Sequence, residues 1–346
     1  MKKIITFGEI MLRLKSPGYE RLFQSSILES TFGGGEANVA VSLSFLGMNS
    51  SYVTVLPSNS IGNACFNELR KYGVDTKNII FKEGRLGIYF LEAGSCNRPS
   101  VVVYDRDESC IAKATCADFD WDTIFSDGTW FHITGITPAI SQNAADFSLE
   151  AVRKAKEKGL TVSVDLNYRK KLWKYGKKAP EVMKEIVKYA DVLIANEEDI
   201  QKSLNINCPV DVTKGSLQIE DYKLLAETVK NQFPNLNIVA ITLRESLSAD
   251  KNGWSGVLLG NTGFYVSKKY QIEDIVDRVG AGDSFSAGLI FGLNEYSIDS
   301  DCEQKALDFA VAASCLKHTI SGDFNLVQKN EVLSLMCGNS SGRVQR

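Results

Sequence analysis

The sequence is poor in histidine, in paired cysteine, in long apolar runs and in excess charge of either sign. His132 and His318 are its two histidines. Its eight cysteines (65, 96, 110, 116, 208, 302, 315 and 337) form no CxxC pair. Zinc sites draw on clustered thiolates and imidazoles, so this scatter argues against a structural zinc. Unpaired thiols in a chain of 346 residues fit a reducing compartment, and the expected location is cytoplasmic. So few histidines also weaken a Ser-His-Asp or Cys-His hydrolase. The net charge of −3 leaves no polybasic footprint, which argues against nucleic acid as a partner. No apolar run reaches the length of a membrane span. The N-terminal "MKKIITFGEIMLRL" lacks a small-residue cleavage site and reads as a first strand, not a signal peptide. There are no internal repeats.

What is present is an alternation. Strand-like apolar runs ("KKIITFGEI", "TWFHITGI", "LTVSVDLN", "DVLIANEED", "NIVAITL") take turns with helix-like segments, several of them stopped by glycine. The predicted fold class is α/β: a three-layer sandwich whose central sheet is mainly parallel, because the strands read as nearly continuous apolar runs buried on both faces. Two stretches break the rhythm, "EIMLRLKSPG" (9–18) and "GIYFLEAGSCNRPSVVVYDRDES" (87–109). Their alternation predicts a small antiparallel β lid built from about 9–32 and 86–112. The expected organisation is one domain over 1–338 and a flexible tail over 339–346.

The densest chemistry lies in "DRVGAGDSFSAGLIFGL" (277–293). Glycine turns expose successive N–H groups as an anion nest, and the helix that follows adds the positive end of its dipole. Asp283 at that point can take a proton from a hydroxyl, while Gly280, Ala281 and Gly282 steady a transferring anion. The same pattern also suits a plain helix cap. It is not a Walker A loop, since no GK[ST] follows, nor a G-x-G-x-x-G dinucleotide turn. "FGGGEANVAVSLSFLG" (32–47) is likewise either a turn into a helix or a place where backbone meets a ligand.

Taken together, "DRVGAGDSFSAG" and "FGGGEANVAVSLSFLG" closely resemble the C-terminal and N-terminal signatures of the PfkB (ribokinase-like) carbohydrate kinases, in the right order and about 240 residues apart. Within that family "PGYERLFQ", "VVYDR", "DLNYRKKLW", "ANEED", "TLRESLSADKNGWSG" and "LKHTISGDFNLV" look most like 2-keto-3-deoxygluconate (KDG) kinases. The resemblance implies a ribokinase-like fold, ATP with Mg2+, and phosphorylation of a small sugar acid, most simply KDG to its 6-phosphate. It implies Asp283 as general base and Gly280–Gly282 as anion hole. It brings Gly34, Gly35 and Asn38 to the sugar, and Tyr89, Tyr104 and Arg106 to the lid over it. Arg169 would be a second cation for the substrate carboxylate or a phosphate. Asn167, Asn196, Thr242 and Arg244 would line the nucleotide side, with Asn196 and Asp199 near the metal. Here the sequence departs from the family: Asp199 stands where Glu is usual, and "ITLRES" replaces a frequent T-L-G-x-x-G. Asp323 and Asn325 are expected near the adenine or the sugar rim. His318 is expected to pack, and the cysteines to act as small buried hydrophobes. Relatives also imply a homodimer through the lid. The rival readings are a fructokinase or other PfkB sugar kinase, and a sugar-sensing protein on the same scaffold.

Overall fold

The structure, a computed structural model, describes residues 2–207 and 219–338; the expected tail over 339–346, and Cys208, lie outside the described residues. The strands, in chain order, are β1 (Lys3–Phe7), β2 (Met11–Lys15), β3 (Glu29–Gly33), β4 (Asn49–Val53), β5 (Val55–Pro57), β6 (Ile80–Lys82), β7 (Gly87–Glu92), β8 (Val101–Asp105), β9 (Trp130–Thr134), β10 (Thr161–Asp165), β11 (Val192–Ala195), β12 (Ile238–Ser246), β13 (Asn252–Leu259), β14 (Phe264–Val266) and β15 (Tyr270–Ile272). The main sheet runs β14-β13-β12-β11-β10-β9-β1-β4, with β15 also paired to β13. From β4 to β12 every pairing is parallel; β13, β14 and β15 add an antiparallel edge.

The period-2 geometry of a strand explains why the sheet is covered on both faces. Ile5, Phe7, Phe131, Ile133, Leu193, Ala195, Val239 and Ile241 pack into one core, which includes the helices Gln142–Glu157 and Ala179–Val187. Their neighbours Ile4, Trp130, Val192, Ile194, Ile238 and Ala240 pack into the opposite core, against the helices Ala281–Glu295 and Cys302–Lys317. Gly288 and Gly292 let those two helices meet closely, since a Cβ at either would lie within 3 Å of Ala310 or Ala306. Among the described residues no helix is long and apolar enough to cross a membrane.

The apolar stretch "SSYVTVLP" divides between two sheets: β4 joins the main sheet, whereas β5 pairs with β6. The lid is a four-stranded sheet, β3-β2-β7-β8. Its outer pairs are antiparallel, while the central pair β2–β7 is parallel. The strands β13 to β15 carry no signal that the alternation of apolar runs and helices could pick up. The parallel strands β1, β9, β10 and β11 all end on the edge of the sheet that faces the lid, leading into Glu9, Thr134, Asp165 and Ala195. An open α/β sheet holds its ligands at that edge.

Candidate active site

Between this edge and the lid lies a cavity of about 860 Å3. Of the residues expected at or near the site from sequence, Gly34, Gly35, Asn38, Tyr89, Tyr104, Arg106, Asn167, Arg169, Asn196, Asp199, Thr242, Arg244, Gly280, Ala281, Gly282, Asp283 and Asp323 line it, and Asn325 does not. Thus segments remote in sequence converge on one space because the strand ends and the lid are all brought to the same side.

The helix Ala281–Glu295 opens on Gly280, which has φ +83° and no side-chain cap. A side chain there would be strained and would meet the Asp323 carbonyl at 2.1 Å. Ala281 N–H, expected in the anion nest, instead donates to Arg278 O at 3.3 Å. Among the described residues the N–H groups of Gly280, Gly282 and Asp283 have no acceptor from the protein. Uncapped first-turn N–H groups facing a cavity form a site for an anion. Asp283 is buried, and Asn38 Nδ2 donates to its Oδ2 at 2.7 Å. Burial pushes its carboxyl up to about 6, against the Asn38 hydrogen bond and the Arg169 charge, which pull it down. It is therefore a carboxylate at neutral pH and basic enough to receive a proton. Gly34 accounts for the close approach at the other wall. A Cβ there would sit 2.0 Å from the Glu9 carbonyl, and its N–H donates to Asn38 Oδ1 at 3.2 Å, which fixes the asparagine for Asp283.

A second helix, Glu197–Leu204, also points its N-terminus at the cavity. Its first turn is closed by a capping box: Asp199 N–H donates to Asn196 Oδ1 at 2.8 Å and Asn196 N–H to Asp199 Oδ2 at 3.3 Å. Asp199 Oδ1 also accepts from Tyr168 N at 2.9 Å. Burial pushes the Asp199 carboxyl up to about 6 despite the nearby Arg169. Asp165, at the end of β10, is buried deeper, and its carboxyl is held well above the usual range by burial and by the charges of Asp199 and Asp283. It accepts from Asn167 N at 3.1 Å and Ser286 Oγ at 3.2 Å. Asn167 takes a left-handed conformation, φ +35°, and the chain then presents Arg169 with its side chain exposed. Among the described residues no group of three or more acidic, histidine or cysteine side chains is placed to hold a metal directly. Asn196 and Asp199 instead offer oxygens with spare lone pairs. That suits a hard ion which keeps several of its own waters.

The lid wall differs from expectation in one respect. Arg106 lines the cavity, but its Nε donates to Glu9 Oε2 at 2.8 Å and its Nη2 is also paired with Glu9, whose other oxygen accepts from Ser109 Oγ at 2.6 Å. An arginine held in this way keeps only part of its fork for a ligand. Tyr89 donates its hydroxyl to Asp323 Oδ1 at 2.6 Å, and its ring lies 6.2 Å from that of Tyr104. Asp323 thus joins lid to turn, while Asn325 is buried against Ser284 Oγ at 2.5 Å and does not line the cavity. His318 is buried with Nδ1 2.8 Å from Ser314 O, and burial lowers its imidazole to about 4, so it stays neutral. Arg244 is exposed at the cavity, whereas Arg278 Nη2 is turned onto the Ala249 carbonyl.

Three functional-looking groups were not singled out in the sequence, Glu9, Asp165 and Lys317, and Asp277, which opens the glycine-turn signature, showed no partner there. Asp277 pairs with Arg13 of β2 and accepts from Val279 N at 3.1 Å and Gly322 N at 3.2 Å. Arg13 also meets Asp323 Oδ1 at 2.6 Å. The pairs of Arg106 with Glu9 and of Arg13 with Asp277 and Asp323 join residues remote in sequence, so only the fold reveals them.

Known proteins resemble this chain along nearly its whole length. Residues 1–329 match the model of the pfkB family carbohydrate kinases. The crystal structure of a 2-dehydro-3-deoxygluconokinase from Thermotoga maritima superposes with a TM-score of 0.91 at 46% identity, over 98% of this chain and 100% of that one. A 2-dehydro-3-deoxygalactonokinase from Haloferax volcanii is 31% identical over 98% of both chains. A 2-dehydro-3-deoxygluconokinase from Bacillus subtilis is 26% identical over 95% of this chain and 94% of its own.

Proposed function

The chain belongs to the pfkB family of carbohydrate kinases, and from that premise we propose that it transfers the γ-phosphoryl group of ATP to the 6-hydroxyl of a 2-keto-3-deoxy sugar acid, with 2-dehydro-3-deoxy-D-gluconate as its substrate. The observation that carries the reading is Asp283 beside the acceptor-free N–H groups of Gly280, Gly282 and Asp283. Asp283 accepts the hydroxyl proton, with Asn38 holding the carboxylate in line. The sugar oxygen attacks the terminal phosphorus as the bond to the ADP oxygen breaks. The N–H groups face the charge that the transferring group spreads over its oxygens. PfkB kinases use ATP. Mg2+ on the phosphates would supply charge neutralisation, and Asn196 and Asp199 would hold it through its waters. Tyr89, Tyr104 and the lid exclude bulk water from the reacting centre.

For the acid group the geometry favours Arg169, because Glu9 already occupies two nitrogens of Arg106. Relatives named for the gluco and for the galacto sugar support the keto-deoxy acid class and leave the C4 epimer to experiment. ADP release from purified protein, ATP and Mg2+ is the test, with KDG, its galacto epimer, gluconate, fructose and ribose offered separately. Turnover is expected with the keto-deoxy acids, and Arg169→Ala is expected to raise KM for them by about tenfold or more while barely changing KM for a neutral sugar. Preferred turnover of fructose or ribose would overturn the acidic-substrate reading and keep the kinase.

A further inference from the structure

Lys317 is the last residue of the helix Cys302–Lys317 and has no exposed surface. Long cationic side chains are seldom buried without a carboxylate on the ammonium. Here the two nearby acids are already engaged: Asp277 and Asp323 both pair with Arg13. The Lys317 ammonium instead donates to two backbone carbonyls, Ile320 O at 3.1 Å and Asp277 O at 3.3 Å. Burial pulls its pKa down, and the charges of Asp277, Asp323 and Asp283 oppose that.

The two carbonyls belong to the two chain segments that build the floor of the glycine turn. Val276 and Asp277 run into Gly280, and both of their N–H groups donate to His318 O. Ile320 leads to Gly322, whose N–H meets Asp277, and to Asp323, whose carbonyl packs under Gly280. A peptide group is planar and trans, so its C=O and the following N–H point in opposite directions. With the Asp277 carbonyl drawn down to the ammonium, the Arg278 N–H must face away from it. That N–H also has no protein acceptor among the described residues. The Lys317 side chain passes close beneath the turn, its Cε 3.3 Å from where a Cβ on Gly280 would lie.

We propose that Lys317 is a positioning residue for phosphoryl transfer: a built-in monovalent cation that holds the Asp277 and Ile320 carbonyls beneath the Gly280–Asp283 turn and so sets the direction of its N–H groups. The proposal rests on the kinase reading of that turn. A residue that merely filled space could be replaced by an uncharged side chain of equal length; a cation that orients carbonyls could be replaced by another small cation.

The test uses two variants of the full chain. Lys317→Ala removes the ammonium and leaves a pocket faced by the two carbonyls; its kcat is expected to fall about tenfold with KM for ATP unchanged. Added methylammonium or potassium should restore kcat with saturation, and tetramethylammonium at the same ionic strength should not. Lys317→Met keeps the length without the charge; it should fold, show the same loss, and resist rescue because its side chain fills the pocket. Wild-type kcat in folded Lys317→Met, or an Ala variant that no small cation restores, would overturn the proposal. A wild-type protein that phosphorylates no sugar would fail the kinase reading itself, and the wild-type control reports that separately from either variant.

Discussion

Two helices aim their N-termini at the same cavity, and each carries a buried aspartate at its third position. Asp199 and Asp283 are alike in placement, in burial and in a carboxyl raised to about 6. They differ in the residue that starts the helix. Asn196 offers a side-chain oxygen to Asp199 N–H and receives the reciprocal bond, so the first turn closes on itself. Gly280 has no side chain to offer, so its turn stays open and Asp283 is held from outside, by Asn38 of another helix. The acid marks both sites; the cap decides which acid is spent on its own helix and which stays available for chemistry.

The sharpest way to break that contrast is Asp283→Asn. The amide keeps the shape and loses the proton acceptor, so kcat is expected to fall by about a hundred- to ten-thousand-fold, with ATP affinity nearly unchanged in a binding titration. In the wild type the same group predicts the acid limb of the pH profile. Below about 6 the carboxylate is protonated, and kcat/KM should drop tenfold per pH unit. A variant with wild-type turnover would remove Asp283 as the base, and a wild-type profile flat down to pH 5 would deny its carboxyl the raised pKa.

The second helix position sharpens the contrast further. It is Glu198 in the closed turn and Gly282 in the open one. A methyl group on Gly282 would meet no protein atom within 4 Å, so the fold tolerates it, and alanine suits a helix better than glycine by up to about 1 kcal/mol. The cost falls on the approaching anion. Gly282→Ala should lower kcat/KM for ATP about tenfold while Tm holds or rises, whereas Glu198→Ala should change neither by much. Loss of Tm with full activity in Gly282→Ala would mean that this glycine serves the fold and not the ligand.

Much of this was legible before the fold was seen, and the reasons are local. The parallel strands announce themselves because burial on both faces demands unbroken apolar runs, as in "LTVSVDLN" and "DVLI". The open turn announces itself through Gly280-Ala281-Gly282-Asp283. What the sequence hid depends on distance along the chain. Arg106 reads as a free cation until Glu9, 97 positions away, takes it. Arg13, on a lid strand, gives no hint of Asp277 and Asp323. Lys317 looks like a helix-ending lysine with its charge in water. The strands β13 to β15 were hidden for another reason: "NGWSGVLLG" mixes glycine and polar residues into an antiparallel edge and follows neither simple period.

The smallest expected effect completes the comparison. Asp199→Asn removes a charge from the closed turn without touching the group that moves, so kcat should fall only a few-fold, well short of the loss in Asp283→Asn. Its clearer signature is in stability. Asp199 binds its proton more tightly folded than unfolded, because burial raises its pKa from 3.8 to about 6. That term stabilises the fold fully below pH 3.8 and is lost as pH rises through 6, where the buried charge must be carried. Asparagine carries no charge, but its amide nitrogen cannot accept from one of the two N–H donors, Tyr168 and Asn196, at a cost of about 1–2 kcal/mol at any pH. The Tm of Asp199→Asn relative to wild type should therefore rise between pH 5 and pH 7.5, while kcat shows only that few-fold loss. A pH-independent Tm difference would deny Asp199 its raised pKa, and a kcat loss equal to that of Asp283→Asn would show that the closed turn takes part in the chemistry as directly as the open one.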